Sequence, residues 1–397
     1  MNKIKKDFPF FKYNKNIIYL DNAATTQKSK LVIDSLNDFY IKYNAPINRS
    51  IYSLAEKSTY LYNLSRKKIA DFIGCNENEI IFTSGTTDSI NLVAHAWAMN
   101  NINQDDEIII TEMEHNANIL PWIYIAKLKN AIIKYIPIKY DGSLDYKYYK
   151  KILSKKTKLV AFSHVSNVLG YTTNLEYLVS NAKKYGAKTL LDAAQSIAHN
   201  NINVKDIEVD FLAFSSHKIS GPNGVGILYI NKEIHNQISH FKLGGSIIQD
   251  LDYNNFYLNN SLSKLETGSQ PSAEIYAFSS AIDYIKKNIE RENILNIENE
   301  YIIYLKKELS KNKNISILGN YNNNIYKQNI LSFYHKNYHS HDIAHYLSEN
   351  NIAVRAGKQC AHILHKKLKI EGSIRISLYW YNSLNDIKKI AKLLKKI

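Results

Sequence analysis

Thr189-Leu190-Leu191-Asp192-Ala193-Ala194-Gln195 and, a little further on, Phe211-Leu212-Ala213-Phe214-Ser215-Ser216-His217-Lys218 are the stretches on which the reading of the fold turns. Each opens as a flush apolar run with little polar interruption, which is how a strand buried on both faces reads. Each then gives way to a polar side chain able to do chemistry, Asp192 in one and Lys218 in the other. The same runs recur upstream at Ile80-Ile81-Phe82, Ile108-Ile109-Ile110 and Leu159-Val160-Ala161-Phe162, and downstream at Ile227-Leu228-Tyr229-Ile230. Helical patterns lie between them; one starts near Thr87 and repeats Ile90, Val93 and Trp97 on one face. Strand–helix alternation of this kind predicts an α/β architecture with a mostly parallel sheet covered by helices.

The last hundred-odd residues differ. A helical stretch from about Glu274 to Lys311 leads into short strands near Ile330-Leu331-Ser332-Phe333 and Ile374-Arg375-Ile376-Ser377. A closing helix from about Ser383 carries Ile387, Ile390, Leu394 and Ile397 as one stripe with lysines opposite. Such a helix can lie on a membrane, but docking on its own domain is the plainer expectation. Asn320 to Asn324 reads as a surface loop. There is no internal repeat and no Pro/Gly-rich linker.

A length of 397 residues suffices for two domains or one large and one small, and an apolar content of 45% is that of a globular chain. The abundance of Lys, Asn, Ile and Tyr is what an AT-rich genome would favour. The net charge of +15 would suit nucleic acid or an anionic membrane. The lysines are dispersed, however, and arginine, the residue of bidentate base and phosphate contacts, is scarce. A solvated basic surface is therefore expected, with no nucleic-acid partner. The two cysteines, Cys75 and Cys360, form no metal-ligand pattern and fit a reducing cytosol as free thiols. Met1 to Leu20 has no signal-peptide core, and no window approaches a membrane span. A soluble, cytoplasmic protein without a metal site is expected.

In open α/β sheets, ligands bind beyond the carboxyl ends of the strands, so Asp192 and Lys218 should point into one crevice. Taken singly, each is better read as a helix cap and a surface lysine. Together they are what pyridoxal 5′-phosphate requires: an amine for the Schiff base and a carboxylate to keep the pyridine nitrogen protonated. Ser84-Gly85-Thr86-Thr87, between a strand and a helix, reads as a phosphate cradle, although many βα turns look alike. His115 follows the next strand and could stack on a cofactor ring, while Asn167 and Gln195 follow strands feeding the same crevice.

The combination resembles the fold-type I pyridoxal-phosphate enzymes and, within them, the class II cysteine desulfurases of the SufS type. The matching stretches are Leu20 to Ala24, Ser84 to Asn91, Met113 to Trp122, His164 to Gly170, Asp192 to Gln195, Ser215 to Gly226, Ala353 to Cys360 and Arg375 to Asn382. They follow one another in order over almost the whole chain. The resemblance implies a large cofactor-binding domain at about 17–285 and a smaller α+β domain made of 1–16 with 286–397.

It also implies roles. Lys218 would carry the cofactor, Asp192 contact its pyridinium, and His115 stack on the ring and take part in proton transfer. Thr86, Thr87, Ser215 and His217 would hold the phosphate and Gln195 the ring hydroxyl. Ser269 matches a position reaching the phosphate from the second subunit of a homodimer. Arg375, assisted by Asn167, would clamp the carboxylate of L-cysteine, and Arg355 would anchor the loop bearing Cys360. Cys360 would take the sulfur as a persulfide, leaving alanine. Its loop, Arg355-Ala356-Gly357-Lys358-Gln359-Cys360-Ala361-His362, has the cationic setting that suits a nucleophilic thiolate, whereas Cys75 reads as buried and inert.

Departures from the family pattern are Lys358 and Gln359 where histidines are common, Tyr52 and Asn116 where histidines are common, and Ser216 where glycine is usual. The persulfide would pass to a small acceptor protein of the SufU or SufE type, feeding iron–sulfur cluster assembly. His341 falls where the branch using the zinc-bearing SufU acceptor tends to have a histidine, although a surface histidine in a first helical turn reads equally plainly. Selenocysteine lyase and cysteine sulfinate desulfinase keep the fold and change the substrate. Another fold-type I enzyme, such as an aminotransferase or epimerase, would leave Cys360 incidental. A non-catalytic basic scaffold or RNA-binding protein would lack the visible absorbance of a lysine-bound cofactor.

Overall fold

The structure, a computed structural model, describes residues 2–259, 261–319 and 329–397. The Asn320 to Asn324 stretch lies outside the described residues. Seven strands form the principal sheet: β1 (Ile80–Thr83), β2 (Glu107–Thr111), β3 (Ile132–Ile136), β4 (Thr157–Ser163), β5 (Lys188–Asp192), β6 (Phe211–Ser215) and β7 (Gly226–Ile230). Their spatial order is β1-β7-β6-β5-β4-β2-β3. The pairings among β2 to β6 are parallel, and β7 lies antiparallel between β6 and β1. The six strands expected from apolar runs are all present, because continuous burial on both faces is what those runs encode. β3 is the one the runs do not announce: it is an edge strand, half-exposed along most of its length, and its sequence carries Lys134 and Tyr135.

Register sets the site. Ser163 of β4 lies beside Asp192 of β5, and Asp192 lies beside Ala213 of β6, so these strands end at one level. The helix Thr86–Val93 starts at that same edge directly after β1 and runs on as a π-helical turn, Ala94–Ala98, that buries Trp97.

A second, antiparallel sheet contains β8 (Ile315–Ile317), β9 (Ile330–His335), β10 (Arg355–Gly357) and β11 (Ser373–Ser377), in the order β8-β9-β11-β10. Arg375 sits at the centre of β11, opposite Ser332 on one side and Arg355 on the other. The closing helix, Leu384–Leu394, begins with a capping box between Ser383 and Asp386 and buries Ile387, Ile390 and Leu394 in the core of this sheet. Each such side chain is worth about 1.5–3 kcal/mol on burial, and because the core already covers this stripe the helix has no comparable apolar face left for a membrane surface. Among the described residues no helix is long and apolar enough to cross a membrane.

The expected helix from Glu274 to Lys311 is two helices, Ser272–Asn288 and Arg291–Leu309. Ile289 between them is extended and buried, and Arg291 lies over the Phe72 ring and donates to the Asn200 carbonyl at 2.9 Å. Tertiary anchoring thus breaks the helix where neither glycine nor proline marks a stop.

Candidate active site

Beyond the carboxyl ends of β1, β2, β4, β5 and β6 lies a cavity of about 310 Å³. Of the residues singled out from sequence, Thr86, Thr87, His115, Asn167, Asp192, Gln195, Ser215, His217, Lys218, Arg355, Cys360 and Arg375 all line it. Ser269 does not. It lines a separate, larger surface concavity with Arg49, Ser246 and Glu266.

At one end of the cavity, Gly85 and Gly226 pack backbone to backbone: a Cβ on Gly226 would lie 2.4 Å from the Gly85 Cα. That approach brings the start of helix Thr86–Val93 against the end of β6. The Ser215 hydroxyl accepts from the Thr86 N–H at 2.7 Å and lies 2.7 Å from the Thr86 hydroxyl. Helix N–H groups, hydroxyls and the positive end of the helix dipole make an anion site.

Asp192 is buried in the cavity wall and among the described residues accepts one hydrogen bond, from the Ala194 N–H at 2.9 Å. Burial raises its pKa, opposed by that bond and by the charge of Lys218. No cation pairs with it within 4 Å among the described residues. A buried carboxylate in this state is complementary to a protonated heterocyclic nitrogen. The Lys218 amine is pushed down to about 8, chiefly by burial, against the pull of Asp192. A fraction of it is therefore the free, nucleophilic amine near neutrality. His115 Nδ1 accepts from the Ala117 N–H at 3.1 Å, which fixes the neutral tautomer, and burial followed by the charges of Lys218 and Arg375 holds the ring down to about 4. His217 is held at about 3, again mainly by burial. Gln195 donates through Nε2 to the Ala23 carbonyl at 2.9 Å.

On the cavity wall, the buried Arg375 guanidinium donates to Asp21 at 2.9 Å and to the Asn167 carbonyl at 3.1 Å, and its Nε is unpartnered among the described residues. Arg355, half-exposed, stands 3.9 Å from the same Asp21 carboxylate. Cys360 is exposed at the cavity mouth, whereas Cys75 is buried and its thiol is pushed up to about 12, mainly by burial. Gln359 and Cys360 both have left-handed backbone, φ 43° and 55°. For residues other than glycine that costs of order 1–3 kcal/mol each, so the surrounding contacts must hold the loop. One is Asn116, whose N–H donates to the Cys360 carbonyl at 2.6 Å and whose side-chain amide lies 2.8 Å from His362 Nδ1. Asn116 thus has a structural task at the cysteine loop. Ser216 donates to the Pro222 carbonyl, pinning the turn after Lys218. Tyr52 is exposed and does not line the cavity.

Two residues brace the wall of the cavity although the sequence alone marks no role for them. Asp21 holds Arg375. Glu114, fully buried next to His115, accepts from Thr111, Asn118 and both the N–H and hydroxyl of Ser163, and burial raises it to about 7. Its sequence signal is an acidic residue between a strand end and a helix start. Glu114→Ala should leave these buried donors unpaired and cost about 2–4 kcal/mol of stability, read as a lower urea midpoint.

These features fit pyridoxal phosphate: an anion cradle, a buried carboxylate with no cation beside it among the described residues, and a buried lysine, all lining one cavity. Uptake of pyridoxal phosphate by the apo chain should accelerate as pH rises towards and through about 8 and then level off, because only the neutral amine reacts. Stopped-flow absorbance would measure it.

The chain matches the aminotransferase class-V family over residues 18–390. It is 35% identical over 376 residues, covering 94% of this chain and 88% of the relative, to the cysteine desulfurase of Haloferax volcanii. The apo structure of a cysteine desulfurase from Thermococcus onnurineus superposes with a TM-score of 0.94 at 34% identity, covering 100% of this chain and 98% of the other. The Escherichia coli cysteine desulfurase CsdA, in an S-sulfonic acid form, superposes with a TM-score of 0.90 at 26% identity, covering 99% and 97%. The chain therefore belongs to the aminotransferase class-V family, with the fold of the fold-type I pyridoxal-phosphate enzymes and with cysteine desulfurases among its full-length relatives.

Proposed function

We propose that this chain is a pyridoxal-phosphate-dependent cysteine desulfurase that converts L-cysteine to L-alanine and stores the sulfur as a persulfide on Cys360. The observation that carries the reading is one cavity lined by Lys218, Asp192, Arg375 and, at its mouth, an exposed cysteine. When bound, the cofactor supplies an electron sink that stabilises negative charge at the substrate α-carbon. Lys218 would hold the cofactor and, as the free amine, would move the substrate α-proton. Asp192 would keep the pyridine nitrogen protonated, and neutral His115 would offer a flat face to the ring. Thr86, Thr87, Ser215 and His217 would hold the phosphate, and Gln195, steadied by the Ala23 carbonyl, would serve the ring hydroxyl. Arg375 binds the substrate carboxylate beside Asn167, and Arg355 steadies the cysteine loop. The Cys360 thiolate attacks the substrate sulfur; the S–S bond forms as the substrate C–S bond breaks. Cysteine and a thiol become alanine and a persulfide, with no external oxidant or reductant.

The finer assignment is to the SufS type, acting as a cytoplasmic homodimer in iron–sulfur cluster assembly. In it residues 17–285 form the large domain, 1–16 with 286–397 form the small one, and Ser269 serves the phosphate of the second subunit. The basic surface and a groove of about 430 Å³ outside Cys360, lined by His339, His341, Lys358, His362 and Glu371, support transfer to a small acceptor protein. The exposed His341 beside that groove favours the zinc-bearing SufU type over SufE. The test is alanine formed from L-cysteine by the cofactor-loaded chain with a thiol reductant present. Wild type is run beside Cys360→Ala, with cysteine sulfinate in parallel.

A further inference from the structure

Gln359 is a buried polar residue immediately before an exposed cysteine. Its side-chain amide is spent on one partner: Nε2 donates to the Ser373 carbonyl at 2.8 Å, and Oε1 accepts from the Ser373 hydroxyl at 2.9 Å. The fully buried His365 stands on the other side of that hydroxyl, at 3.1 Å, and its Nδ1 reaches the Ala361 carbonyl at 2.9 Å. The residues before and after Cys360 are therefore both tied to Ser373, one directly and one through His365. Ser373 begins β11, two positions before Arg375. Arg375 donates to the Asn167 carbonyl, and Asn167 Nδ2 donates back to the Gln359 carbonyl at 2.8 Å. The contacts close a circuit from the cysteine loop through β11 to the buried guanidinium and back.

We propose that Gln359 is a positioning residue: through Ser373 it fixes the Cys360 thiol relative to Arg375. The inference rests on the persulfide reading, in which Arg375 holds the substrate carboxylate. Sulfur attack then needs the distance between guanidinium and thiol to be constant, and a misplacement of about 1 Å costs about 10²-fold in rate. The left-handed backbone at Gln359 and Cys360 is the conformation this circuit maintains.

Gln359→Met keeps length and bulk but removes both amide bonds. In the cofactor-loaded enzyme its kcat for L-cysteine should fall about 10–100-fold, with KM changed less than about threefold because binding runs through Arg375. Cysteine sulfinate, whose leaving group departs without thiol attack, supplies the discriminating readout: the ratio of cysteine to sulfinate turnover should fall about tenfold or more. Ser373→Ala, which keeps the carbonyl bond and loses the hydroxyl bond, should lower the same ratio by a smaller factor. If Gln359→Met fails to take up cofactor, Ser373→Ala carries the ratio test. A cysteine kcat near wild type in Gln359→Met, or a parallel loss on both substrates, would overturn the inference while leaving the desulfurase reading intact. Retained cysteine turnover in Cys360→Ala, run alongside, would overturn both.

Discussion

Lys218→Ala should abolish turnover of L-cysteine and cysteine sulfinate alike, by about 10³-fold or more, while leaving the chain folded. The amine lies deep in the protein, is pushed down to about 8 mainly by burial, and makes no side-chain hydrogen bond among the described residues. Its removal costs the fold no bonded partner, so a lost activity would not be a lost structure. Two jobs disappear together: covalent retention of the cofactor and movement of the α-proton. Spectroscopy separates them. The variant should still bind pyridoxal phosphate through Thr86, Thr87, Ser215 and Asp192, but the absorbance of the lysine-bound form should be missing and the cofactor should leave on gel filtration. Added small amines should restore part of the proton transfer. Lys218→Arg should fail in the same way as alanine, because a guanidinium stays protonated and cannot act as the nucleophile. Turnover of cysteine by Lys218→Ala near the wild-type rate would remove the lysine from the chemistry.

The residues legible in the sequence share one property: each lies where a strand stops. Asp192 and Ser215 are the last residues of β5 and β6, and Lys218 follows three positions later. An apolar run announces a buried strand, and the first polar residues after it announce the sheet edge where ligands bind. That local signal marks the part of the cavity around Asp192 and Lys218 without any knowledge of contacts. Edge strand β3 escaped it because half-exposed strands carry polar residues that interrupt the run. The break at Ile289 escaped it because the cause, Arg291 against Phe72 and Asn200, is far away in sequence.

The part of the cavity around Arg375 and Cys360 shows the same limit. Arg375 and Cys360 were singled out through the resemblance, but Asp21, which bonds Arg375 across 354 positions, has no local mark. Gln359 illustrates it best. In sequence it reads as a departure from a histidine pattern. In the fold it is buried and bonded to Ser373, which stands on the strand bearing Arg375. A residue whose task is to join two segments of the chain can be recognised only when both are in place.

Cys360→Ala should reduce alanine formation from L-cysteine by about 10³-fold or more, yet leave cofactor binding and cysteine sulfinate turnover largely in place. The thiol is exposed at the mouth of the cavity, so its truncation opens no cavity in a core and strips no buried donor of its partner. It also leaves Lys218, Asp192 and Arg375 untouched, and with them proton transfer and carboxylate binding. What is lost is the acceptor for sulfur. The substrate C–S bond cannot break by thiol attack when no thiol is present, whereas a sulfinate leaves unaided. In wild type given L-cysteine without reductant, the peptide carrying Cys360 should gain the mass of one sulfur atom, and the Cys75 peptide should not. Burial pushes the Cys75 thiol up to about 12, leaving almost no thiolate at neutral pH. Loss on both substrates would mean that the loop shapes the whole cavity and that Cys360 is structural. Wild-type cysteine turnover in the variant would end the persulfide mechanism, and the same fold would have to release sulfur by elimination from Lys218-assisted chemistry alone.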